Sequence, residues 1–374
     1  VQDCRGWVLG PGLVDLYSHS GEPGFEERET LASLLQSARA GGFTRLAILP
    51  DTVPALDNPA SIAWLHDLQR DRYGPHLYIW AALTIATHGQ QMTELAELAA
   101  LDIIGFADGK PLTNLALVRR LLEYLRSLNK PVALWACEPV LGGNGVVREG
   151  ADSIRFGLPG IPAIAETLPL AGLLECIEAT GTPVHLMKLS TARGVELIRS
   201  AKARGLPVTA SATWMHLLLD TNALGSYDPN LRLDPPLGTP SDRLALIQAV
   251  QEGVIDAIAI DHTPYTYEEK TVAFAEAPPG AIGLELALPL LWHTFVQSGR
   301  WSALELWRRL STDPARCLQQ QGPAAIAPNQ PAELTLFNPQ QMWAVEAQSL
   351  HCHSSNTPWL GQPVVGRVIK TWCP

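Results

Sequence analysis

The 374 residues are 47% hydrophobic and 17% charged, enough apolar side chain to bury a large core without a disulfide or a metal as a staple. Thirty-seven acidic residues against 27 basic ones leave a formal charge of −10, with no block of five like charges. That balance argues against nucleic acid or an anionic membrane as the main partner, and no apolar run approaches the ~18 to 20 residues of a membrane helix.

In chain order, residues 1–10 read as a partial N-terminal β segment. Eight short β-branched or aliphatic runs then follow, at 13–15, 45–48, 77–81, 103–106, 132–135, 184–187, 208–212 and 257–260. Between them lie stretches of helical periodicity, at 30–40, 115–128, 163–180, 194–203 and 241–252, several ending at a glycine. This alternation predicts a parallel sheet, and eight such units over roughly 250 residues have the size of a (β/α)8 barrel. The barrel is expected over 11–322, its last helical stretch at 302–320. Short apolar runs at 333–337, 364–368 and 369–372, set among Pro-, Asn- and Gln-rich turns, predict a small β domain over 323–374.

The six cysteines, Cys4, Cys137, Cys176, Cys317, Cys352 and Cys373, are scattered without a CxxC pair and read as reduced thiols. With no basic region followed by a hydrophobic stretch at the beginning, a cytoplasmic location is expected. The sequence begins at Val1 rather than Met, which leaves a processed or incomplete N-terminus open.

A barrel carries its chemistry at the C-terminal ends of its strands. The polar or aromatic residues there are Tyr17 and His19 after the first, Asp51 after the second, Asp108 after the fourth, Trp135 at the fifth, Lys188 after the sixth, His216 after the seventh and Asp261 after the eighth.

PGLVDLYSHSGEPG at 11–24 resembles the dihydroorotase opening PGxVDxHxHxREPG, and GGFTRLAILPDTVP at 41–54 is similar to that family's GGFTTxxxMPNTxP. FADGKP (106–111), GLPGIPAIAET (157–167), LSTARGVELIRSAKARGLPVTA (189–210), DPPLGTPSDRLAL (234–246), IDHTPY (260–265), AIGLELALPLL (281–291) and SSNTPWLGQPVVGRV (354–368) continue the resemblance in order over nearly the whole chain. The resemblance implies a metal-dependent amidohydrolase barrel with a small β-sandwich-like domain built from the termini. It also implies the reversible ring closure of dihydroorotate in pyrimidine synthesis, with one or two zinc ions. Zinc would polarise the amide and lower the pKa of bound water toward ~7.

Carried over position by position, the resemblance leaves most of that machinery missing. The first strand's His-x-His is Tyr17-Ser18-His19, Asp108 takes the bridging carboxylate position, Trp135 and Lys188 stand where the fifth and sixth strands supply histidines, and Asp261 keeps the general acid/base position. On the substrate side Gly21 replaces an Arg, Asp51 an Asn, Tyr265 a His, and Gly238 the Arg of PPLR. Tryptophan has no lone pair to donate and a lysine ammonium is itself a cation, so neither substitutes for imidazole on zinc.

Two arrangements follow. His19, Asp108 and Asp261, helped by Tyr17, form a weak single-metal site; or the Lys188 ammonium takes the metal's place and neutralises Asp108 and Asp261. His185 and His216 read as packed histidines, and His262 either orients Asp261 or is structural. The HCH tract at 351–353 falls, by the resemblance, in the β domain far from the barrel mouth. Trp64, Trp135 and Trp214 either fill a vacated cavity or mark a subunit interface.

The leading expectation is a non-catalytic dihydroorotase-like protein of pyrimidine biosynthesis without a metal cofactor. By resemblance it would be a structural partner of aspartate carbamoyltransferase, and homo-oligomeric, with no nucleic-acid or membrane partner. The rivals are an active cyclic amidohydrolase with a reduced, mononuclear zinc site and a small-molecule sensor that uses the relic pocket.

Overall fold

The computed structural model describes residues 3–69, 74–323 and 326–373. The chain enters through β1 (Val8–Pro11) and lays down β2 (Leu13–Ser18), β3 (Phe43–Ile48), β4 (His76–Ala81), β5 (Gly105–Phe106) and β6 (Ala133–Trp135). A two-stranded parallel ribbon follows, β7 (Val147–Arg148) with β8 (Gly160–Ile161), then β9 (Val184–Met187), β10 (Val208–Thr213) and β11 (Ala257–Ala259), and finally β12 (Leu334–Ala344) and β13 (Pro363–Trp372).

Two parallel ladders, β2-β3-β4-β5 and β6-β9-β10-β11, make the eight-stranded barrel. A parallel bridge between Phe106 and Val132 joins them on one side. On the other, Asp261 N donates to Tyr17 O at 3.2 Å and His19 N to His262 O at 2.8 Å. A side chain reinforces this second seam: fully buried Asp15 accepts Ile260 N at 3.0 Å and the Ser18 hydroxyl at 2.6 Å.

Strand alternation sorts the core into two shells. Val14, Leu16, Trp80, Ala133, Trp135, Met187, Ala257 and Ala259 fill the barrel, while Leu13, Ile79, Ala81, Leu134, Leu186 and Ile258 pack outward against the helices. The helices begin at residues suited to it: Thr30, Thr191 and Thr239 each accept a backbone N–H of the first turn of Leu31–Ala40, Ala192–Ala203 and Pro240–Glu252.

The helix expected over 302–320 is two helices, Ala303–Leu310 and Thr312–Cys317. At the break the Ser311 hydroxyl donates to Gly12 O at 2.6 Å, and the second helix contributes Ala315 and Cys317 to the barrel's inner core.

β1, β12 and β13 form one antiparallel sheet in the order β1-β12-β13, so the first and last segments share a layer. The two runs expected at 364–368 and 369–372 are a single strand, β13. Buried Glu333 fastens this layer to the barrel, accepting Arg45 through both oxygens at 2.6 and 2.7 Å and the Thr44 hydroxyl at 2.8 Å.

Candidate active site

At the C-terminal ends of the barrel strands lies a cavity of ≈ 260 Å³, lined among others by His19, Asp51, Trp135, Lys188, Asp234 and Asp261. Lys188 Nζ is 2.8 Å from Asp261 Oδ1 and 5.0 Å above the Trp135 ring. No hydrogen-bond donor is aimed squarely at Oδ1, so this is a charge contact rather than an aligned hydrogen bond. His19 continues the row, with Nδ1 2.8 Å from Asp51 Oδ2 and Nε2 3.5 Å from Asp261 Oδ1. The charges therefore alternate along Asp51, His19, Asp261 and Lys188.

This alternation sets the protonation states. Burial would raise Asp261, but the Lys188 ammonium and His19 outweigh it and hold the carboxyl at about 2. Burial works against a charged His19, yet the Asp51 and Asp261 carboxylates beside its two ring nitrogens raise it to about 9. Asp51 is lowered despite burial, chiefly by His19. His19 is an imidazolium with a carboxylate at each nitrogen and no free lone pair.

Tyr17, at a lost histidine position, lies outside the cavity wall and is fully buried. Its hydroxyl accepts Lys188 N at 3.1 Å and pairs with Ser211 Oγ at 2.8 Å. Ser211 Oγ lies 2.9 Å from His185 Nε2, and His185 Nδ1 lies 2.9 Å from Thr209 Oγ1. One consistent proton order runs through this chain: Tyr17 donates to Ser211, Ser211 to His185, and His185 to Thr209. Burial pushes His185 down to about 3, so it is neutral.

Asp108 corrects the sequence reading, because it takes no part in the row. Its carboxylate caps the loop after β4, accepting Leu83 N at 2.7 Å, Thr84 N at 3.0 Å and the Thr84 hydroxyl at 2.5 Å, and it does not line the cavity. The second acid of the site is Asp51, which sequence comparison had placed on the substrate side.

Of the other substituted positions Gly21 and Tyr265 line the cavity, whereas Gly238 does not and packs against Asp242 and Ser190 O. At Gly21 a Cβ would come closer than 3.0 Å to the backbone of Phe25 and Glu29, so no side chain fits. Tyr265 lies under Arg28, whose guanidinium is 4.9 Å from the ring and paired with Glu269 at 3.0 Å. His216 is buried as a packed histidine, Nδ1 2.7 Å from Thr213 Oγ1 and Nε2 3.2 Å from Pro236 O.

The HCH tract also departs from expectation, since it does not lie far from the mouth. Cys352 Sγ contacts Glu29 and lies 3.7 Å from Nε2 of His262, the residue after Asp261. His262 thus partners Glu29, at 3.4 Å, rather than Asp261. These three buried groups are close enough to share an ion. However, His262 Nδ1 accepts Gly283 N at 3.2 Å, which puts the ring proton on Nε2, and the Cys352 thiol is pushed well above its ordinary range by burial. They form a hydrogen-bonded clamp between the β12–β13 connection and the barrel.

Of the tryptophans, Trp135 walls the cavity, Trp214 is buried and stacks on Trp359 at 5.1 Å, and Trp64 is half exposed on the helix Pro59–Gln69. Sequence reasoning missed Asp234 and Arg28. Their only signal was position, Asp234 opening the DPPLG motif and Arg28 following GEPG.

These residues do not fit the zinc centre that the sequence resemblance implies. A lysine ammonium is already seated against the eighth-strand acid, the one imidazole is held between two carboxylates, and the fourth-strand acid is turned into a loop.

The fold is that of the amidohydrolase barrels: L-hydantoinase (dihydropyrimidinase) from Arthrobacter aurescens aligns with a TM-score of 0.83 at 19% identity, over 99% of this chain and 84% of that one. Residues 6–193 match the Dihydro-orotase-like family. The chain is 45% identical to a probable dihydroorotase-like protein of Synechocystis sp., with 97% of this chain and 87% of that one covered. It is 36% identical to a dihydroorotase of Pelobacter propionicus, covering 99% and 87%. The chain belongs to the Dihydro-orotase-like family.

Proposed function

We propose that this chain is a non-catalytic member of its family, retained for its fold, and that it serves pyrimidine synthesis as a structural partner of aspartate carbamoyltransferase. The observation that carries the loss of catalysis is the Lys188 ammonium 2.8 Å from Asp261. A general acid/base must exchange protons near neutral pH, whereas a carboxyl held at about 2 by a fixed cation stays ionised. The substrate side supports the same reading. Gly21 has no room for a cation, and Asp51 presents a carboxylate where a carboxylate substrate would need an attractive group. The carbamoyltransferase as partner rests on the family resemblance.

The test has two arms. Purified protein, with and without added zinc, is assayed for dihydroorotate hydrolysis and ring closure, and its metal content is measured; neither turnover nor stoichiometric zinc is expected. Chelator-sensitive turnover would overturn the reading. In the second arm the protein is mixed with aspartate carbamoyltransferase from the same source and analysed by size exclusion, where a co-eluting complex is expected and separate peaks would remove the partner.

A further inference from the structure

We infer that a second cavity, which shares Lys110, Trp135 and Asp234 with the site above, binds a small oxyanion: a carboxylate or a phosphate group on a small molecule. The cavity encloses ≈ 320 Å³, and its charged lining is Arg148, Arg232, Lys110, Asp234 and Glu166. This goes beyond the proposed function and does not depend on it.

Arg148, at the end of β7, is 3% exposed; its Nη2 donates to Ser190 Oγ at 2.7 Å, and its buried Nε meets no acceptor. Arg232 donates through Nη1 to Leu233 O at 3.2 Å, and its buried Nε is likewise unmet. Burial disfavours the Arg232 cation, partly offset by Asp234, so an anion would be welcome there. Buried Arg148 and partly buried Arg232 line one cavity, and a guanidinium carries its donors in the fork geometry that recognises carboxylate and phosphate oxygens.

Glu166 cannot serve as that acceptor. Its Oε2 takes Ser190 N at 2.8 Å and the Ser190 hydroxyl at 2.5 Å, and its Oε1 takes Thr191 N at 3.1 Å and the Thr191 hydroxyl at 2.5 Å. It reaches Arg148 only through Ser190. Asp234 lines both cavities and feels the charges of Lys188, Arg232 and Arg148, so it balances part of the positive charge that an anion would meet. Pro111, Ile161, Pro235 and Pro236 offer an apolar wall for the rest of the molecule.

The test uses inorganic phosphate and, separately, succinate, titrated into the full chain at constant ionic strength with chloride as the balance, read by calorimetry and by Tm. At least one of the two should bind saturably, and which one does tells a phosphate ligand from a carboxylate ligand. Binding should weaken at least tenfold in Arg148→Met and in Arg232→Gln, but not in Arg193→Met, which removes an exposed surface cation. Should Arg148→Met fail to fold, Arg232→Gln decides alone. No saturable response to either anion, or unchanged binding in Arg232→Gln, would overturn the inference.

Discussion

Lys188 and Asp261 meet across the barrel mouth at 2.8 Å, and both hold left-handed backbone angles, φ 56° and 54°. Side chains other than glycine adopt such φ only where the surroundings over-determine them. Tyr17 supplies the constraint at both residues: its hydroxyl accepts Lys188 N at 3.1 Å and its carbonyl accepts Asp261 N at 3.2 Å. The residue that replaced a histidine thus positions the lysine that stands in for a cation.

Removing Lys188 leaves Asp261 with only the more distant His19. Lys188→Met should destabilise the fold by about 3 kcal/mol, as expected when one partner of a buried pair is lost. Asp261→Asn in that background should recover part of the loss. Urea denaturation of the two single variants and the double variant checks this, and additive effects would mean the two side chains are not coupled.

Tyr17→Phe keeps the ring but removes the acceptor of Lys188 N and the partner of Ser211. A cost of about 1–3 kcal/mol is expected for the unmet buried groups. Tyr17→His should cost at least as much and should not yield dihydroorotate hydrolysis, because Trp135, Lys188 and Gly21 are unchanged. Hydrolysis in that variant would show that the site is one substitution from function.

Gly21→Arg would return the cation that the family places there, but the backbone of Phe25 and Glu29 occupies the Cβ position. The strain should cost about 1–3 kcal/mol or more, without gain of dihydroorotate binding. A variant as stable as the parent, measured by thermal unfolding, would contradict the packing described here.

Buried neutral histidines should cost stability on the acid side of neutral pH. His185 and His216 are pushed down to about 3 and about 4 by burial, from 6.5. Their contribution is present above pH 6.5 and lost as pH falls, because the unfolded chain takes up protons that the folded one refuses. Asp15, raised to about 7 by burial, works the other way below that pH. Each of these two histidines alone costs about 1.4 kcal/mol per pH unit as pH falls near 5, while Asp108, Asp234 and Asp256, raised by burial, side with Asp15. On the alkaline side His19, raised to about 9, contributes stability that is full below pH 6.5 and lost as pH rises through 9, while Lys270, pushed down to about 7 by burial from 10.5, works the other way over the same range, so the two offset each other up to about pH 9. Tm measured from pH 4.5 to 9.5 against the parent checks both assignments: His185→Gln should lessen the loss as pH falls, His19→Asn should make Tm rise from pH 7 to 9 relative to the parent, and unchanged profiles would sink them.

The sequence by itself determined the barrel, because its eight strands announce themselves in local periodicity: Val14, Leu16 and Trp80 face in while Leu13 and Ile79 face out, as a period of two requires. It also determined that Trp135 and Lys188 offer no imidazole, wherever their side chains point. Only the tertiary structure decided which groups meet. Asp108 and Asp51 are both acids after barrel strands, yet the loop after β4 offers Asp108 two N–H groups and a hydroxyl, while Asp51 is left facing His19. The break at Ser311 depends on Gly12, some three hundred positions away, and the contact of Cys352 with Glu29 spans a similar separation. Pairings of that kind depend on how loops pack after the barrel closes, and no periodicity within a short window carries them.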